Sequence, residues 1–305
     1  MNTTAALTGV LPVLQTPFSE GDEIDYDVLE GEVHWLLNMG ADGIVVGMVS
    51  EVLRLSDQEK DDLGRFLGTL AANAKTHFVM SVGAESTKVA VLNGQRAEAN
   101  GATEVMAIPP ISVALPESEI YDYYQALLST VSIPVIVQDA SGYVGSVLSI
   151  ELMARLQSEF GPQVLFKPEA QPIGPRLTLL RDATGRSAQV YEGTGGISLI
   201  DSIRRGIAGT MPGSDVCWSI IEMWRAGQAG DFARAYEIQG PLLALLTIQN
   251  TLDAFLAVEK HLLVRQGILK NTRRRTPVGF VMDDETTKEI DRAFEALLHV
   301  CGRQL

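Results

Sequence analysis

The chain predicts an α/β fold, a (β/α)8 TIM barrel with a C-terminal helical extension, and three observations carry that expectation. Eight short β-rich apolar runs alternate with segments of helical period. No G-x-G-x-x-G follows the first run and no G-x-x-x-x-G-K-[ST] occurs, which argues against the main competitor, a doubly wound open sheet built around a nucleotide. The strand pattern stops after residue 215, and only helical periodicity continues. The expected units are a catalytic barrel over 1–215 and a helical region over 216–305, with no low-complexity linker and no strong internal repeat.

The first run spans 9–18, and the second, 43–49, closes on Gly47-Met48-Val49-Ser50-Glu51. A helix over 56–72 follows, because Ser56 and Glu59 have capping-box spacing and Leu63, Phe66, Leu67 and Leu70 form an apolar stripe. The third and fourth runs cover 78–83 and 104–109, and 117–128 reads as a helix before the fifth run, 134–138, which ends on Gln138. A helix over 150–160 leads to the sixth run, 164–167, where Val164-Leu165-Phe166 closes on Lys167. The seventh, 189–192, ends on Glu192 and runs into Gly193-Thr194-Gly195-Gly196, and a helix over 197–205 precedes the eighth, 206–211. Beyond it, 217–226, 232–246, 254–266 and 286–301 have helical periodicity, the basis for an all-helical extension packed on the barrel.

Composition excludes several classes of function. With 305 residues, 46% of them hydrophobic and 20% charged, the chain can bury a large core. A formal charge of −14 repels nucleic acid and anionic membrane, leaving small molecules, including anions held by local groups, as the expected partners. Cys217 and Cys301 are isolated, and the histidines at 34, 77, 261 and 299 make no ligand spacing with them or with acidic pairs, so neither a disulfide framework nor a metal site is expected. Residues 1–6 lack a basic leader and no apolar stretch approaches membrane-spanning length, which points to the cytoplasm.

In a barrel of this kind chemistry gathers where the strands end. Gly47 to Glu51, Gln138, Lys167 and Glu192 all close strands and so face one mouth. Of the seven lysines, at 60, 75, 88, 167, 260, 270 and 288, six lie in polar or helix-like contexts where the ammonium stays in water; only Lys167 ends a buried run. It is either a lysine that snorkels from its strand or a desolvated amine whose lowered proton affinity suits imine formation with a 2-oxo acid. Glu169 follows two residues later, on the same side of an extended strand. The glycine-rich loop 193–196 either presents the backbone N–H groups of Gly193 and Thr194 to an anion or is a tight turn. Ser50 and Glu51 read as loop scaffolding and carboxylate contacts, and Asp139 as a holder of the loop after the fifth strand.

The G-x-x-x-E run after the second strand, the Pro-Val-Ile fifth strand and the lone lysine ending the sixth resemble the dihydrodipicolinate synthase/N-acetylneuraminate lyase superfamily of Schiff-base-forming barrels, across the whole chain. The resemblance implies a homotetramer built from dimers. It implies Lys167 as the Schiff-base lysine, so that the covalent imine takes the place of a cofactor. It also places Met48, Val49 and Ser50 in the loop whose backbone amides hold the substrate carboxylate.

Departures from the family pattern are as informative. Where family aldolases carry a tyrosine that relays the proton of the substrate C4 hydroxyl, this chain has Gln138, and the relay's other positions hold Val49 and Pro110-Ile111. A carboxamide does not titrate and cannot be a base. Lys167-Pro168-Glu169 also moves the usual following acid by one residue, onto the lysine's side of the strand. Dehydration of a 2-keto-3-deoxy sugar acid needs a base at C3 and an acid at the C4 hydroxyl, roles that Glu169 and Glu192 are expected to fill. Within the superfamily, glutamine at this position resembles the L-2-keto-3-deoxyarabonate dehydratases, which form 2-oxoglutarate semialdehyde. Three alternatives stand beside that expectation: a 5-keto-4-deoxyglucarate dehydratase, an aldolase working through Glu169 or water, and a catalytically silent relative that binds 2-oxo acids.

Overall fold

The computed structural model describes residues 7–142 and 144–304; residues 1–6, read above for a leader, lie outside it. Among the described residues eight strands alternate with helices: β1 (Gly9–Val10), β2 (Gly43–Val46), β3 (His77–Ser81), β4 (Glu104–Ala107), β5 (Val135–Asp139), β6 (Val164–Pro168), β7 (Gln189–Glu192) and β8 (Gly209–Thr210). The helices α1 (Tyr26–Asn38), α2 (Asp57–Ala74), α3 (Thr87–Ala99), α4 (Glu117–Leu128), α5 (Ile150–Phe160), α6 (Ile173–Ala183) and α7 (Leu199–Arg204) lie between successive strands. All pairings are parallel, in the order β1-β8-β7-β6-β5-β4-β3-β2. The sheet closes because Val45 N–H donates to Pro12 O and Leu14 N–H to Val45 O, each at 2.9 Å. The fold is the expected (β/α)8 TIM barrel.

The first and last strands are shorter than the apolar runs that predicted them. Pro12, Pro17 and Pro212 carry no N–H, so the ladder breaks beside each of them. Val13 restores contact by bridging to Val45 on one side and Gly213 on the other. The second run also ends early, at Val46, because Met48–Ser50 coil into a 3-10 turn. Ser50 Oγ accepts the Gly47 N–H at 3.1 Å and donates to Leu14 O at 2.6 Å, which fixes that turn across the mouth of the barrel. In α2 the capping box forms as its spacing requires, with Ser56 and Glu59 bonding each other's backbone.

Alternation along the strands sorts the core into two layers. Leu11, Val45, Val79, Met106, Ile136, Leu165, Tyr191 and Met211 point inward and fill the barrel, while their neighbours, such as Ile44, Phe78, Val137 and Phe166, pack outward against the helices. Each such side chain contributes about 1.5–3 kcal/mol by leaving water. Lys167 is two residues beyond Leu165 and therefore continues the inward row.

After β8 come α8 (Cys217–Gln228), α9 (Phe232–Leu246), α10 (Leu252–Arg265) and α11 (Asp284–Val300). The first packs against α7 and β1 as the eighth helix of the ring, and α9 joins α8 to α11. Helix α10 crosses the barrel mouth beside the 48–50 turn. Lys260 pins it there, donating to Glu51 Oε1 at 2.6 Å and to the carbonyls of Thr16 and Arg273 at 2.7 Å each. This corrects the expectation that only Lys167 among the lysines leaves water, since Lys260 is 0% exposed. Burial lowers its pKa, opposed chiefly by the Glu51 carboxylate. Removing one partner of such a pair strands the other charge, at a cost of about 3–5 kcal/mol.

Candidate active site

A pocket of about 520 Å³, its open mouth included, lies where the strands end. Its floor is the top of the barrel core, Val13, Met106 and Met211, and one lip is the Gly47-Met48-Val49 turn. The opposite cover comes from the helical tail, through Leu252, Phe255 and Glu259 of α10. An apolar rim of Met48, Ile108 and Ala140, with Ile111 and Leu252 against it, occupies the region where the family relay would bring hydroxyl groups. Among the described residues no group of three or more His, Cys, Asp or Glu side chains is arranged to hold a metal ion.

The polar end of the pocket is a three-residue chain. Strands β5 and β6 pair in register with Gln138 opposite Lys167. Lys167 Nζ donates to Glu169 Oε1 at 3.1 Å, and Gln138 Nε2 donates to Glu169 Oε2 at 2.7 Å. Strand β6 runs to Pro168, and Glu169 N–H still donates to Asp139 O at 2.9 Å, so lysine and glutamate both reach the pocket wall. Glu169 is fully enclosed, and burial raises its carboxyl pKa; the Lys167 charge and the Gln138 bond oppose that rise, and the Glu192 charge adds to it. Lys167 is the lysine on the pocket wall, with a side chain only 6% exposed. Gly193 packs directly on this chain: a Cβ there would stand 2.6 Å from Glu169 Oε1 and 2.7 Å from Lys167 Cε. Only glycine lets β7 pass so near the reacting groups.

Glu192, expected as the second carboxyl, is turned away from the pocket wall. Its Oε1 accepts the Thr194 N–H at 2.7 Å and the Thr194 hydroxyl, and its Oε2 accepts the Thr210 hydroxyl at 2.8 Å. A strand-end carboxylate beside a tight turn satisfies backbone first, and Thr194 N–H, once a candidate for the substrate, is spent on it. The Thr194 hydroxyl accepts from Ser198 N–H at 3.1 Å. Ser50 is likewise locked inward by its bonds to Gly47 and Leu14. Of the residues expected at the site, the fold therefore brings together Lys167, Glu169, Gln138, Met48, Val49 and Gly193 on the wall, and sets Glu192, Thr194 and Ser50 immediately behind it. Asp139 holds the following loop, accepting from Ser141 and Leu148 N–H groups at 3.1 and 3.0 Å.

Glu259 was not anticipated. It is 1% exposed, lines the pocket and accepts a hydrogen bond from Gln15 Nε2. Its pKa is raised well above the ordinary carboxylate range by burial first and then by the Asp215 and Glu32 charges, against the Gln15 bond and Lys260. A signal was present in the sequence: Leu252, Phe255, Leu256, Glu259 and Leu263 recur at the 3–4 residue spacing of one helix face, so a carboxyl stands in an apolar stripe.

A model described as the dihydrodipicolinate synthetase family matches residues 6–297. Among curated relatives, the L-2-keto-3-deoxyarabonate dehydratase of Azospirillum brasilense is 29% identical over 278 residues, 88% of either chain. The 4-hydroxy-tetrahydrodipicolinate synthase of Rhizobium meliloti is 25% identical over 93% of this chain and 96% of its own. In shape, the dihydrodipicolinate synthase of Rhodopseudomonas palustris superposes with a TM-score of 0.87 at 21% identity, over 95% of this chain and 98% of that one.

Proposed function

The chain belongs to the dihydrodipicolinate synthetase family, a family of lyases, and from that premise we propose that it dehydrates a 2-keto-3-deoxy sugar acid through a Schiff base on Lys167. The substrate of this reading is L-2-keto-3-deoxyarabonate and the product 2-oxoglutarate semialdehyde. One observation supports it: Glu169 accepts hydrogen bonds from Lys167 Nζ, the amine of this reading, and from the Gln138 carboxamide, a group that cannot serve as the base cleavage requires. The likeness to the Azospirillum dehydratase supports the choice of substrate.

The steps follow from that placement. Lys167 Nζ, after giving a proton to Glu169, attacks the C2 carbonyl; the carbinolamine hydroxyl takes that proton back from Glu169 and leaves as water, which gives the protonated imine and restores the Glu169 carboxylate. The protonated imine makes the C3 hydrogens acidic, and Glu169, hydrogen-bonded to the same nitrogen, is in reach of C3 to remove one. The electron pair released becomes the C3–C4 double bond, and the C4 hydroxyl departs as water once protonated. The remaining C5 and hydroxyl protons move to C3 and C4, giving the aldehyde, and hydrolysis of the imine frees Lys167. Retro-aldol cleavage instead requires removing the C4 hydroxyl proton. Gln138 cannot accept it at working pH.

Borohydride with pyruvate should leave a reduced three-carbon adduct on Lys167 alone, read by peptide mass. Lys167→Arg should abolish both adduct and turnover, because a guanidinium stays protonated. L-2-keto-3-deoxyarabonate should yield the semialdehyde; pyruvate and glycolaldehyde as main products, or an adduct on another lysine, would overturn the reading.

A further inference from the structure

We propose that Glu259, carried into the barrel mouth by α10, is the acid that protonates the departing C4 hydroxyl. This rests on the dehydratase reading above and supplies the second carboxyl that the reaction needs.

Three features of its placement single it out. First, Glu259 shares one pocket with Lys167 and Glu169, whereas Glu192 is spent on Thr194 and Thr210 behind the wall. Second, its approach is built in. A Cβ on Gly213 would lie 2.1 Å from Glu259 Oε1, so the glycine three residues beyond β8 opens the gap through which the carboxyl enters, as Gly193 does for Glu169. Third, its surroundings favour the neutral acid. Gln15 donates to Oε2, and the adjacent cation on the same helix, Lys260, is committed to Glu51, Thr16 and Arg273. The other charged groups acting on it are themselves buried carboxyls, Asp215 and Glu32. A carboxyl out of water, without an ion pair of its own and beside two others, retains its proton. Glu169, by contrast, is paired with Lys167. Two carboxyls in one cavity are thereby set to opposite roles, base and acid.

The step balances. Glu169 takes the C3 proton, the C3–H pair becomes the C3–C4 double bond, and the C4–O pair leaves with the hydroxyl. That oxygen takes the proton of Glu259 and departs as water, so Glu169 ends protonated and Glu259 ionised. The iminium charge on Lys167 is unchanged.

Glu259→Gln tests this with little steric change, since a neutral amide replaces a neutral acid of the same shape. Three readouts separate the roles in deuterated water: borohydride trapping of pyruvate on Lys167, deuterium entry into the pyruvate methyl group, and semialdehyde formation from L-2-keto-3-deoxyarabonate. Trapping and deuterium entry should stay within about threefold of the wild type, while dehydration falls about 10²- to 10⁴-fold, the contribution of a positioned acid. Dehydration near the wild-type rate would overturn the proposal, and so would a parallel loss of all three readouts, which would mark Glu259 as a support of the pocket. A wild-type protein that traps pyruvate and exchanges its methyl protons without dehydrating the sugar acid would sink the dehydratase reading itself, and the acid role with it.

Discussion

Gly193→Ala adds one methyl group at the point where the strand passes closest to the proposed chemistry. The new Cβ would stand 2.6 Å from Glu169 Oε1, 2.7 Å from Lys167 Cε and 2.9 Å from Glu169 Cδ. Ordinary contact begins near 3.4 Å, so the lysine–glutamate pair must retreat by about 0.8 Å or the turn must bend. Gly193 does not lie in the left-handed region, so alanine adds no backbone strain and the effect is confined to packing. Retreat is hindered on the far side, where Gln138 holds Glu169 Oε2 at 2.7 Å. A misplacement approaching 1 Å costs about 10²-fold in rate, near 2.7 kcal/mol of barrier. Both the rate of borohydride trapping with pyruvate and kcat for the sugar acid should fall by about that factor, with thermal unfolding shifted by a few degrees at most. Trapping and turnover at wild-type rates would mean that the pair is not held in its working geometry by Gly193, and would remove the steric part of the mechanism.

Two further outcomes follow from the buried acids. Burial raises Glu32, despite the Gln15 N–H bond at 3.0 Å, from the ordinary 4.5 to about 7. The folded chain therefore holds a proton that the unfolded chain releases, so this contribution to stability is complete below about pH 4.5 and is lost as pH rises through about 7. The loss is worth about 3 kcal/mol, and Asp215, also raised to about 7, adds to it in the same direction. Melting temperature should fall between pH 5.5 and 8.5, and Glu32→Gln, which keeps an acceptor for Gln15 N–H, should flatten that slope; equal slopes in both proteins would refute the assignment. Glu192→Gln should leave trapping intact and lower kcat less than tenfold. It should also move the acid limb of the pH–rate profile to lower pH, because the Glu192 charge helps to raise Glu169. A fall of about 10² or more with that limb unmoved would instead put Glu192 in the chemistry.

The tail is part of the site as well as a covering for the ring. Phe255 and Glu259 form pocket wall, and the same helix is pinned by Lys260 to Glu51, whose other oxygen accepts Arg275 N–H at 2.8 Å. Glu51 sits in a left-handed conformation, φ 59°, directly after the 48–50 turn. The buried pair thus sets the turn that lines one lip and the helix that covers the other, and couples the two in position.

What the sequence determined by itself is whatever depends on short-range order. The period of two in the strands and the caps and stripes of the helices lie within a few residues of each other, and they specified the barrel and the order of its elements. They also placed Lys167 and Glu169 on one face, because extended backbone returns every second side chain to the same side. The ladder lengths of β1 and β8 were readable too, had the prolines at 12, 17 and 212 been given their missing donors. Tertiary structure alone decided with whom the buried charges pair. Lys260 finds Glu51 across 209 positions, and Gln15 finds Glu259 across 244. It also decided which way a strand-end carboxylate turns: Glu192 toward Thr194 and Thr210, Glu169 toward Lys167. Burial of an ionisable group is settled by the nearest partner in space, and the closed ring brings together partners that the linear chain keeps far apart.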